Sequence, residues 1–163
     1  MPDLLSLCKW LQQTSVGAAV RESLWLFPAI ETVHLLGMAA LAGTVAVLDF
    51  RLLGWMLRQK RFSELAKRLL PWAWAGFAVQ VITGTLLFSS EAVKVYSNPA
   101  FRLKMLLILL AGVHAMIFHW TVYRGVAAWD DSVAPPLGAK VSGLLSILLW
   151  IGVVAAGRFI GFV

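Results

Sequence analysis

Four apolar blocks, near residues 24–48, 70–89, 105–123 and 141–163, constrain this chain more than any other feature. Each approaches the ~20 residues that an α-helix needs to cross bilayer hydrocarbon. In lipid, backbone N–H and C=O groups must bond within the segment, so blocks of this kind predict membrane-spanning helices. Sixty per cent of the 163 residues are hydrophobic, and the stretches between the blocks are too short for a separate soluble domain. The expected fold is all-α: one integral membrane four-helix bundle over 1–163, with spans near 24–57, 69–89, 100–126 and 139–163. An N-terminal amphipathic helix over 1–22 is expected to lie at the lipid interface, because Leu4, Leu7, Cys8 and Leu11 recur at helical spacing. Asp3 and the short, interrupted apolar stretch argue against a signal peptide.

The net charge of +6 raises nucleic acid as a partner, but the basic residues cluster at the ends of apolar blocks and no aromatic–basic platform for bases is present. They read instead as orientation signals in a lipid bilayer. Arg51, Arg58, Lys60, Arg61, Lys67 and Arg68 crowd the first connection. Adding Arg124 and Lys140 gives eight basic residues on one side against six on the other. This bias predicts both termini outside and the first and third connections in the cytoplasm. The lone Cys8 permits no intrachain disulfide and no thiolate cluster.

All three histidines fall inside predicted spans: His34 in the first, His114 and His119 in the third. Ionisable groups in hydrocarbon are costly and call for a role. Counted from Leu24 and from Lys104, His34 and His114 both lie ~15 Å deep, so they are expected to face each other. His119 lies ~7.5 Å farther along and is rotated ~140° from His114, so the pair does not chelate one ion from one helix. Two imidazoles on separate helices match the axial ligands of a haem iron. Ala111, Gly112 and Ala115 beside His114, and Gly37 one turn from His34, leave room for a macrocycle. Arg102, Lys104 and Arg158 are candidates to pair with propionates, Arg158 equally to snorkel outward.

Glu31, three residues before His34, can hold its tautomer, relay a proton or ligate directly. Gln80 reads as an interhelical hydrogen bond, and Asp49 with Arg51 as a local ion pair. Small-residue pairs such as Ala39/Gly43 and Gly152/Ala156 let helices approach closely.

The stretches "ETVHLLGMAALAGTVAVLDFRLLG" and "LKMLLILLAGVHAMIFH" resemble a family of small four-span bacterial inner-membrane proteins. Glu31, Thr32, His34, Asp49, Arg51, Leu52, Leu53, Gly54, Phe118 and His119 carry the resemblance. It implies the bacterial inner membrane, and it favours His119 over His114 as the typical third-span histidine. The layout is also similar to membrane cytochromes of the b561 kind, with fewer histidines. Three readings follow. The first is a haem b electron-transfer protein with His34, His114 or His119 as iron ligands, exchanging electrons with a quinol or a redox partner protein. The second is a transition-metal site, for copper or a similar ion, using Glu31, His34 and a third-span histidine, with Met38, Met105 and Met116 as soft donors. The third is a cofactor-free structural or assembly subunit. A homo-oligomer is expected. No hydrolase motif is present.

Overall fold

Every element of the computed structural model, which describes residues 4–162, is helical. The helices are α1 (Leu4–Gln13), α2 (Ser15–Glu22), α3 (Leu26–Leu53), α4 (Phe62–Ser90), α5 (Ala92–Ser97), α6 (Pro99–Trp120) and α7 (Leu137–Phe159), with a 3-10 turn at Tyr123–Ala128. Helices α3, α4, α6 and α7 are long and apolar enough to cross a membrane. They form a four-helix bundle whose large exposed side chains are apolar, such as Leu36, Leu109 and Ile151, a surface suited to lipid. No residue of α6 is fully buried.

Helix ends follow local chemistry. Gly54, at φ 74°, closes α3 in the left-handed region, and the Trp55 N–H reaches back to Phe50 O at 3.0 Å. The first span therefore stops short of the expected residue 57. Asn98 caps α6, accepting from the N–H groups of Ala100 and Phe101, with Pro99 in the first turn. The third span ends at Trp120 rather than 126, where the chain tightens into the 3-10 turn. At the N-terminus the expected single helix is two, because Thr14 ends α1 and caps α2 through the Gly17 N–H. Residues 1–3 of that expected helix lie outside the described residues. Both helices lean on the bundle: Gly17 lies against Ser89 O, and Cys8 is buried while Leu4, Leu7 and Trp10 stay exposed.

Close backbone packing runs α4–α3–α7–α6. Helices α4 and α6 meet through aromatic pairs at their two ends, Phe88 with Phe101 and Phe62 with Phe118. Between those pairs the α4–α6 seam is the loosest side of the bundle. The tightest contact is α3–α4. A Cβ on Gly76 would lie 2.9 Å from Leu41 N and 3.1 Å from Gly37 O. Gly76→Val is therefore expected to destabilise the fold by about 2–3 kcal/mol. Gly112→Ala, where a Cβ meets nothing within 4 Å, should be neutral; denaturant titration in mixed micelles measures both.

One end of the bundle, opposite the termini, is closed by a polar latch. Arg51 is fully buried at the end of α3. Its Nε donates to Lys60 O at 2.8 Å, and its Nη2 to Ser132 O at 3.1 Å and Asp130 O at 3.3 Å. This corrects the expected Asp49–Arg51 ion pair: Arg51 serves the connecting segments, while Asp49 turns to Ser146 of α7. The Asp130 carboxylate caps α4, accepting from Ser63 N at 2.8 Å and Ser63 Oγ at 2.6 Å. That cap explains why α4 begins at Phe62, seven residues ahead of the expected span. Phe62 packs there against Phe118, Tyr123 and Trp129.

Burial pushes the Asp130 carboxyl up, but the Ser63 hydrogen bonds and the Arg61 charge outweigh it and hold the group below its ordinary value. A carboxyl depressed in the folded state stabilises fully above its unfolded pKa, and that stability is lost as pH falls through the lower, folded value. Unfolding midpoints should therefore drop on acidification below about pH 4. Ser63→Ala should lower the neutral-pH midpoint and flatten that acid dependence. Equal pH profiles for the two proteins would contradict the cap.

Candidate functional site

The intramembrane polar groups separate into two places. In the half of the bundle nearer the termini, His34 on α3 faces α4. Its Nδ1 lies 2.8 Å from Thr83 Oγ1. The Thr83 hydroxyl hydrogen is already given to Val79 O at 2.6 Å, the usual back-bond of a threonine within a helix. Thr83 can therefore only accept from His34, so Nδ1 carries the proton and Nε2 keeps its lone pair. Among the described residues Nε2 has no partner. Gln80, one turn away on α4, donates to the His34 carbonyl, which is the interhelical bond its sequence position predicts. Gly84 gives the ring its space: a Cβ there would come within 3.4 Å of His34 Cε1.

From α6, Lys104 reaches into the same region and lies within electrostatic reach of His34. Its stem rests on Gly157 of α7, where a Cβ would lie 3.6 Å from Cδ, Cε and Nζ. Lys104 makes no hydrogen bond or ion pair among the described residues. An imidazole nitrogen with a free lone pair thus lies within electrostatic reach of a lysine, Gly84 making room for the one and Gly157 for the other.

The second place lies toward the latch. His114 Nε2 sits 3.1 Å from Ser142 O and 3.2 Å from Ser142 Oγ. A carbonyl only accepts, so Nε2 donates and the ring clasps α6 to α7. Neighbouring Gly143 abuts Asp49 O and Leu52 Cβ, which places His114 level with the end of α3. The expected face-to-face pairing of His34 and His114 is thereby corrected. His114 lies ten residues past Lys104, ~15 Å along the helix, and α3 and α6 do not pack closely on each other.

The remaining candidates disperse. His119 is exposed and stacks on Tyr123, ring centroids 5.3 Å apart. Glu31 is exposed and does not touch the imidazole whose tautomer it was expected to set. Arg102 bonds Tyr96 O at 3.1 Å and covers the Tyr96 ring; Arg158 covers Phe162. Both therefore stay at the bundle end, and of the three candidate cations only Lys104 joins His34. Gly37 does not open a cofactor space, because Val79 and Gln80 of α4 fill it. Met105 and Met116 are exposed on the lipid side of α6. Among the described residues no three His, Cys, Asp or Glu side chains converge on one point.

Residues 22–163 match the model of a family of unknown function, DUF6644. The chain belongs to that family. The match begins at the last residue of α2, so it takes in all four membrane-span helices, the His34–Thr83–Lys104 group and the latch. No curated protein and no solved structure matches the chain.

Thr83 is the site residue that the sequence reading missed. Gln80 and Thr83, three apart in a largely apolar span, mark one polar face of α4, and that spacing was the available signal.

Proposed function

We propose that this is a b-type membrane redox protein of the bacterial inner membrane, with both termini outside, in which His34 Nε2 ligates a haem b and Lys104 pairs with a propionate. The observation that carries the reading is the His34 tautomer: Nδ1–H is tied to a hydroxyl already committed to a carbonyl, leaving Nε2 free. Metal-bound histidines characteristically have their second nitrogen held in this way. The residues fit such a group in part: His34 Nε2 is oriented with its lone pair free, its neighbours are small, and Lys104 would meet a carboxylate. They do not supply a second imidazole from the same chain at the same depth. Any second ligand comes from outside the pair, from a partner or another copy.

When bound, haem supplies one-electron chemistry tuned by its axial ligand. The chain's own part is to orient the imidazole through Thr83, keep water away with the surrounding helices, and balance charge with Lys104. A quinol or a partner protein is the electron source consistent with an intramembrane position. Among the described residues no convergent donor set favours the copper alternative. The His114–Ser142 clasp is the kind of contact a structural subunit would use, and it leaves the His34 lone pair and the unpaired Lys104 unexplained.

The test is a reduced-minus-oxidised spectrum of protein purified from haem-replete cells, with elemental analysis of the same sample. Stoichiometric porphyrin with b-type bands is expected. No Soret band, or a stoichiometric transition metal without porphyrin, overturns the reading.

A further inference from the structure

At the end of the bundle that carries the termini, α1, α2 and α5 surround an open cavity of about 320 Å³, lined by Lys9, Gln12, Gln13, Arg21 and Val93. Local chemistry builds it. Thr14 breaks the N-terminal segment into two helices, and the break lets Arg21 of α2 reach back to α1. Gln12 holds both neighbours: its Oε1 accepts from Val93 N at 3.3 Å, and its backbone carbonyl accepts from Arg21 Nη1 at 3.1 Å. Helical spacing puts Gln12 on the same side of α1 as the buried Cys8, and sets Lys9 and Gln13 together on the next side.

The charged part of this lining is cationic. Lys9 is exposed and makes no hydrogen bond or ion pair among the described residues. Arg21 has Glu22 at 3.5 Å, but that carboxylate is 72% exposed and lies outside the lining. Among the described residues no acidic side chain lines the cavity. Lys9, Arg21 and the Gln13 amide are therefore left as donors for an oxyanion.

The surroundings say which oxyanion. Gly17 of α2 lies against Ser89 O in the last turn of α4, so the cavity sits level with the end of the spans, where lipid headgroups lie. Leu4, Leu7 and Trp10 run along another side of α1 and are exposed, an apolar stripe suited to the acyl boundary. A soluble anion would use the cations and leave that stripe bare. A zwitterionic headgroup would bring its own ammonium against Lys9 and Arg21. A lipid with a phosphodiester and no cation uses both the charges and the stripe. We infer that this cavity binds the phosphodiester headgroup of an anionic phospholipid, with Lys9 and Arg21 on the phosphate oxygens and the acyl chains along Leu4, Leu7 and Trp10. None of its residues belongs to the His34 group, so the inference stands apart from the proposed function.

The experiment uses the full chain in mixed micelles with subsaturating phosphatidylglycerol that carries a photoreactive headgroup, and maps the labelled peptides. Label is expected on 9–21, displaced by unlabelled phosphatidylglycerol and not by phosphatidylcholine, inorganic phosphate or glycerol phosphate. Lys9→Gln and Arg21→Gln should each weaken labelling there about fivefold, while label on the basic 58–68 connection stays unchanged. Lys9 makes no contact that holds the fold, so Lys9→Gln remains informative even if loss of the Arg21 bond to Gln12 unfolds the segment. Label confined to the 58–68 connection, equal displacement by phosphatidylcholine, displacement by inorganic phosphate, or a Lys9→Gln protein that labels like wild type overturns it.

Discussion

Arg51→Ala is expected to destabilise the protein by about 3–5 kcal/mol, one of the largest effects of any single change in this fold. The guanidinium is fully buried and holds three segments at once: the end of α3 that carries it, the α3–α4 turn through Lys60 O, and the connection to α7 through Asp130 O and Ser132 O. Alanine leaves those carbonyls in a desolvated place without donors, each costing roughly 1–3 kcal/mol if water does not replace the lost bond. Loss of the buried charge's own desolvation penalty offsets part of that sum. Arg51→Lys keeps the charge, but one ammonium on a flexible stem does not span carbonyls on two separate connections. It should recover less than half of the loss. The Arg61–Asp131 pair beside it, 2.6 Å between nearest atoms and exposed, should matter by under 1 kcal/mol. Denaturant titration in mixed micelles gives the three values, and limited proteolysis of the 129–136 connection reports the opened latch. An Arg51→Ala protein as stable as wild type, with that connection still protected, would show that the loops are held by something else.

The latch also shows what was legible in the sequence. The four spans were, because bilayer thickness sets a block length that composition alone reveals. Their ends were less so. Gly54 stops α3 by a left-handed cap three residues before the apolar run fades, and α4 starts early because Asp130, sixty-seven residues on, caps it. A long-range cap leaves no local trace. The D-x-R element looked like a neighbouring ion pair, yet side chains two apart on a helix point to different sides: Asp49 goes to α7 and Arg51 to the loops. The pairing of His34 with His114 failed for a specific reason. Counting depth from Lys104 puts the membrane edge at that residue, whereas it lies inside the bundle against Gly157, five residues past the start of α6. Moving the origin to Pro99 drops His114 by about 7 Å. Hydropathy also says nothing about helix order, so it did not reveal that α3 and α6 avoid each other.

His34→Ala is expected to lower haem retention by at least a hundredfold if the proposed function is right, since the mutant lacks the only free imidazole nitrogen on that face of α3. The more discriminating series keeps the histidine. Thr83→Val preserves shape and removes the acceptor of Nδ1–H, so the ring is free to turn and to carry its proton on Nε2 instead. Loss of such an outer partner typically costs 10–100-fold in affinity. The imidazole that remains is a poorer electron donor, so the midpoint potential of residual haem should move positive. Thr83→Ser keeps both the acceptor and the back-bond to residue 79 and should restore both readouts. His114→Ala breaks the clasp to Ser142 and should lower stability by about 1 kcal/mol, with retention changed less than threefold. Titrating each purified protein with haem and following the Soret band, then measuring potentials optically, reads the whole series. If His114→Ala loses the band while His34→Ala and Thr83→Val keep it, the ligand lies toward the latch and the His34 tautomer is only a packing detail. A graded loss in the order Thr83→Ser, Thr83→Val, His34→Ala is what a hydroxyl acting through an imidazole requires, because a purely structural threonine would change stability without moving a potential.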